Sequence, residues 1–154
     1  MTQPTEFNFE RDLRPHIRLF EHLEGFFDVV NPLYVFKKAY SAAGHRVIIS
    51  MVIPAGATIF IGQTPNGNAR KKISLTHCGK MRASKAYIHS ITRLTWTGRG
   101  YVGDRLLTNA VSGHKSSFKY RVDTTVLPDH FSKAPYECSG GIHFFLKAQQ
   151  ALDY

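Results

Sequence analysis

Acidic side chains are scarce in the middle of this chain. Residues 41–121 carry one carboxylate, Asp104, against thirteen Lys and Arg. Such a stretch cannot neutralise itself by local ion pairs, so part of it must face solvent or an anionic partner. Cysteine is nearly absent too. Cys78 and Cys138 form no CxxC pair and make a poor disulfide framework. Both thiols are expected to behave as small hydrophobes in a reducing setting. No apolar run reaches the roughly 20 residues that a spanning helix needs. The longest, VIISMVIPAGATIFIG, is broken by Pro54 and glycines. The first residues are polar and mixed in charge, without the basic start and apolar stretch of a secretory signal. The expectation is a soluble, intracellularly made protein with no membrane span.

Catalytic signatures are missing as well. Eight histidines form neither HxH nor HExxH. His77-Cys78 and Cys138 with His143 are local pairs, short of the four ordered ligands of structural zinc. There is no GxSxG, and Ser139 has no base partner visible in the sequence. GRGYVGDR (98–105) has glycines but not the Lys-Ser/Thr ending of a phosphate loop. The chain is therefore not expected to be an enzyme, and neither cofactor nor metal is expected.

What is present suffices for one folded unit. The 154 residues are 43% hydrophobic, enough to bury a core. The formal net charge is +9, concentrated in the middle: residues 1–40 and 122–154 are each slightly acidic. The cations proposed to face a partner are Arg70, Lys71, Lys72, Lys80, Arg82, Lys85, Arg99, Arg105, Lys115, Lys119 and Arg121. Aromatic residues interleave with some of them, as at Phe118-Lys119-Tyr120-Arg121, which could hold a phosphate backbone and stack bases. Strand alternation favours the plainer reading, with Phe118 and Tyr120 inward and Lys119 and Arg121 in water.

Periodicity divides the chain. Residues 10–28 read as an amphipathic helix with Ile17, Phe20, Leu23 and Phe27 on one stripe. LYVFKKAY (33–40), HRVIISMVI (45–53), ATIFIG (57–62) and YIHSITRLTW (87–96) read as strands. FKYRV (118–122) and GIHFFL read as two more, followed by a short terminal helix. KMRASKA (80–86) reads as a compact basic turn of helix, and 98–116 as a glycine-rich loop. Gly140-Gly141 before a buried strand suggests backbone geometry or contacts that a Cβ would block. The expected fold is α+β: a mostly antiparallel sheet with an N-terminal amphipathic helix and a short C-terminal helix. The expected organisation is an N-terminal helical segment (1–32) and a single α+β domain (33–154).

Three segments carry a resemblance. They are Ile53-Pro54-Ala55-Gly56-Ala57, then Lys80-Met81-Arg82-Ala83-Ser84-Lys85-Ala86, then Phe118-Lys119-Tyr120 leading to Leu127-Pro128-Asp129 and Glu137-Cys138-Ser139-Gly140-Gly141-Ile142-His143-Phe144-Phe145 with Ala151 and Tyr154. Together they resemble an uncharacterised domain family of large DNA viruses and phages. That resemblance implies a viral source and no established activity. Gly141-Ile142-His143-Phe144 with Ala151 and Tyr154 is also similar, more loosely, to the nicotinamide-holding stretch of ADP-ribosyltransferases. This second likeness implies a nucleotide pocket at His143 and Tyr154. The function expected is a non-enzymatic structural or interaction protein of a large double-stranded DNA virus, a minor capsid or cement component. It would be made in the host cytoplasm, carried in the virion and bound to other viral structural proteins. The alternatives are an ADP-ribosyltransferase-like NAD-binding protein and a basic nucleic-acid-binding module.

Overall fold

The computed structural model describes residues 25–61, 80–113, 117–133 and 140–153. They form two antiparallel sheets and one short helix. The larger sheet centres on β2 (Leu33–Tyr40), β3 (Arg46–Ile53) and β6 (Ala86–Trp96). In β2 the alternation turns Leu33, Val35, Lys37 and Ala39 to the core. In β3 it does the same for Val47, Ile49 and Met51, all without exposed surface.

A bulge breaks the alternation in β6. Ser50 of β3 lies opposite Ser90, but Met51 lies opposite Ile88, so His89 is an extra residue. Ile88 and Ile91 both become fully buried although three positions apart.

The chain then closes the sheet on itself. β7 (Tyr101–Leu107) pairs with β6, whereas β8 (Asn109–Val111) pairs with β2 on the other side of β3. Only Thr108 separates them, so the sheet curls into a half-barrel. A second crossing reinforces the first. β9 (Lys119–Arg121) pairs with β8, and β10 (Thr125–Val126) pairs with β6. Val122 N–H donates to the Thr108 carbonyl at 3.0 Å and Asp123 N–H to the Ile88 carbonyl at 2.9 Å. These bonds sew the margins together.

The smaller sheet runs β1 (Gly25–Asp28), β4 (Thr58–Ile61), β5 (Met81–Ala83) and β11 (Ile142–Phe144). Its inner residues, among them Ile59, Ile61, Met81, Ala83 and Phe144, join one core with the half-barrel. Each Ile, Met or Phe side chain among them contributes about 1.5–3 kcal/mol by leaving water. Helix α1 (Ala148–Asp153) covers the outer face of β2, where Phe36, Phe145 and Ala151 form a separate apolar cluster.

Several expectations are corrected. The fold is mostly β rather than α+β, and the described residues contain no N-terminal amphipathic helix. Residues 10–24 of the expected helix lie outside the described residues. Residues 25–28 form strand β1, in which Phe26 and Phe27 face opposite sides, and β1 pairs with β4. KMRASKA is strand β5 and the start of β6, not a helical turn. Most of the stretch taken as a glycine-rich loop is β7 and β8.

Candidate functional site

Three features stand out. The first is a row of residues directly opposite one another across all four strands of the smaller sheet: Phe26, Phe60, Arg82 and His143. Arg82 is wholly buried. Its guanidinium lies 4.5 Å from the Phe60 ring centre, 5.2 Å from Phe131 and 5.7 Å from Phe26. Its Nη1 donates to the carbonyls of Ser132 at 2.6 Å and Gly140 at 2.8 Å. Burial lowers its pKa from the ordinary value. A charge so enclosed ties the segments around residues 132 and 140 to β5. It is not available to a partner, unlike its place among the expected contact cations.

The glycines beside it fit the same arrangement. Gly141 has φ +151°, and a Cβ there would lie 3.1 Å from both Arg82 Cβ and Phe131 Cδ1. A Cβ on Gly140 would fall 2.5 Å from the His130 carbonyl oxygen. The backbone must approach this closely for the Gly140 carbonyl to meet Arg82.

The second feature is a notch in the wall of the half-barrel. Along one edge of β2, Phe36 exchanges two backbone hydrogen bonds of 2.8 Å with Phe145, and Tyr40 pairs with Val111. No described strand pairs with residues 37–39 on that edge. The opening is a cavity of about 140 Å³ lined by Lys37, Lys38, Tyr40, Lys80, Ser112 and His143 among others. Lys37 is 8% exposed, and its ammonium donates to the His143 carbonyl at 3.1 Å. The Tyr120 ring centre lies 5.9 Å away. Burial first, and the charge of Lys80 second, depress the Lys37 pKa to about 8. Burial raises the Tyr120 phenol well above its ordinary value.

The third feature is the ribbon of β6 and β7. Its turn is closed by Thr97, whose N–H and hydroxyl both donate to the Gly100 carbonyl. Trp96 and Tyr101 lie opposite each other with ring centres 5.1 Å apart, and Arg46 sits 5.0 Å over Tyr101. Trp96, Val102 and Leu106 are 59%, 50% and 75% exposed. Beyond β6, no described strand pairs with residues 101–106. Asp104 is taken up by Arg93, whose Nε and Nη2 donate at 2.8 and 3.2 Å, and by the Thr95 hydroxyl. These bonds, Arg93 first, hold its pKa down to about 2. The one carboxylate of residues 41–121 is thus already occupied.

The proposed partner-facing cations separate in space. Arg99 and Arg105 lie on the ribbon. Lys119 and Arg121 are exposed on β9, with Tyr120 between them buried and Phe118 packed against the core. Lys80 lines the notch, and Lys85 is half-buried between β5 and β6. Arg70, Lys71, Lys72 and Lys115 lie outside the described residues, as does Tyr154 of the expected nucleotide pocket. His143 ends the Arg82 row and also lines the notch. Lys37 escaped the sequence reading, although its alternation with Val35 and Ala39 already placed it inward. Among the described residues no three His, Cys, Asp or Glu cluster as metal ligands. No helix there is long and apolar enough to cross a membrane.

Fold and surface together define a small antiparallel β protein with cationic features on a curled sheet. The chain belongs to a family of unknown function, DUF5758, which it matches over residues 22–151. No curated protein and no solved structure matches it.

Proposed function

We propose that this protein is a non-enzymatic interaction module that docks an acidic, extended segment of a partner protein along the β6–β7 ribbon. The observation that carries the reading is the ribbon itself. An edge strand offers backbone N–H and C=O groups to a further strand. Here that edge is accompanied by exposed Trp96, Val102 and Leu106 and by Arg99 and Arg105. Aromatic and Arg side chains are the types that anchor protein interfaces. With Asp104 engaged, the remaining cations of residues 41–121 have no carboxylate left in their own stretch. They suit an acidic partner, and charge complementarity speeds encounter.

The resemblance to a family of large DNA viruses supports a finer reading. The partner is another structural protein of the particle, and this chain is a minor capsid or cement component. The test has two arms. Mass spectrometry of purified virions should find the chain in the particle. Filter binding of duplex and single-stranded oligonucleotides across a salt series should give weak affinity at physiological salt. Tight oligonucleotide binding that falls by roughly a thousandfold between 50 and 200 mM salt would instead mean about six or more phosphate contacts and a nucleic-acid role.

A further inference from the structure

We propose that the notch beside β2 binds a single small oxyanion, a phosphoryl group or a carboxylate, held by Lys37 Nζ with the help of Lys80. The site is separate from the ribbon and does not depend on the ribbon's function.

An ammonium carries three N–H donors. Lys37 is 8% exposed, and its Nζ makes one hydrogen bond within the described structure, to the His143 carbonyl. A buried charge needs a counter-charge or a full set of acceptors. The carbonyl supplies one acceptor, and the Tyr120 ring, at 5.9 Å, supplies a cation–π contact and no acceptor lone pair in line.

The surroundings add positive charge. Lys38 and Lys80 line the same cavity, and among the described residues no Asp or Glu does. Lys80 is close enough to disfavour the charged form of Lys37. Two ammonium groups brought together in a partly dry cleft define a place where an anion relieves both burial and repulsion. At pH 7 Lys37 still keeps its proton, since its pKa stands at about 8.

Size is adequate. The cavity is about 140 Å³. An apolar cavity of roughly 150 Å³ takes benzene, a molecule of six heavy atoms. Phosphate has five and acetate four, so either enters with room for a bridging water. Ser112 and Tyr40 place hydroxyl-bearing side chains on the same wall. The opening exists because the ladder of β2 is interrupted between Phe36 and Tyr40, so the fold itself keeps the space.

The experiment uses the full chain, with inorganic phosphate and acetate as probes and chloride at equal ionic strength as the control. Phosphate, acetate or both should raise the melting temperature. Lys37→Met should remove that rise, and Lys80→Gln should weaken the affinity several-fold. The exposed pair Lys119→Gln and Arg121→Gln should leave it unchanged. In the wild type, NMR titration of the Lys37 ammonium should show its midpoint moving up by roughly one pH unit when the probe is bound, a tenfold preference for the charged form. A response to phosphate alone assigns the site to phosphoryl groups, and one to acetate alone to carboxylates. A rise that survives Lys37→Met, or a Lys37 midpoint that neither probe moves, overturns the proposal. Should Lys37→Met not fold, the wild-type titration decides.

Discussion

Arg82 shows how a charged residue can act as a core residue. Its guanidinium satisfies two carbonyls and lies among three phenylalanine rings. Arg82→Met would leave the Ser132 and Gly140 carbonyls without this donor. It should lower stability by about 3 kcal/mol or more in denaturant unfolding. Arg82→Lys should not restore it, because lysine lacks the planar guanidinium that lies among the three rings and is too short to carry its nitrogen to the position of Nη1. Gly141→Ala should lower the melting temperature, since φ +151° and the 3.1 Å approaches exclude a Cβ without backbone movement. An unchanged melting curve would contradict the packing described around Arg82. Lys37 makes a pH prediction. Its pKa of about 8 against 10.5 corresponds to about 3 kcal/mol. Between these values the unfolded lysine holds a proton that the folded one has lost, so stability rises with pH across that window. Below pH 8 the burial cost of the charge is present in full. The stability of the wild type relative to Lys37→Met should therefore rise from pH 8 towards 10. Above pH 10 the buried Tyr120 phenol acts oppositely, because only the unfolded tyrosine ionises there. A gap independent of pH would contradict the buried placement of Lys37.

At the scale of elements, the ribbon is the part with a distinct consequence. Trp96→Ala together with Leu106→Ser removes exposed apolar surface and should leave the melting temperature nearly unchanged. On the docking reading proposed above, the same pair should abolish binding to the acidic partner segment. A large loss of stability would show that these side chains pack in the core rather than in an interface. The ribbon was also the element hardest to read from sequence. β7 is exposed along most of its length and interrupted by Gly103, so it shows no alternation of apolar and polar residues. Strand β5 was missed for the opposite reason: Met81, Arg82 and Ala83 are all buried, and three residues carry no period. The rings that enclose Arg82 come from positions 26, 60 and 131, which no local pattern connects. By contrast β2 and β3 were legible nearly to the residue, because each has one core face and one covered or wetted face. In β6 the alternation predicts the strand but puts Ile88 and Ile91 on opposite faces. The bulge at His89, invisible in sequence, turns both inward.

The whole molecule is organised by closure. Thr108 and residues 122–124 carry the chain from one margin of the curled sheet to the other. Among the described residues no further strand covers the part of β7 beyond this seam, and there exposed apolar and basic groups gather. The surplus of positive charge was plain in the sequence; its division among ribbon, notch and β9 was not, because that division follows from the closure. The edge of β7 is proposed to dock an acidic protein segment. The most direct measurement is to place a photo-crosslinking amino acid at position 106 in the full chain, and a second one at position 119 as a control. Both are irradiated in assembled particles, and the adducts are identified by mass spectrometry. The account predicts a protein adduct from position 106 that maps to an acidic segment of one partner, and little from position 119. Adducts to nucleic acid from both positions, or none from position 106, would contradict it.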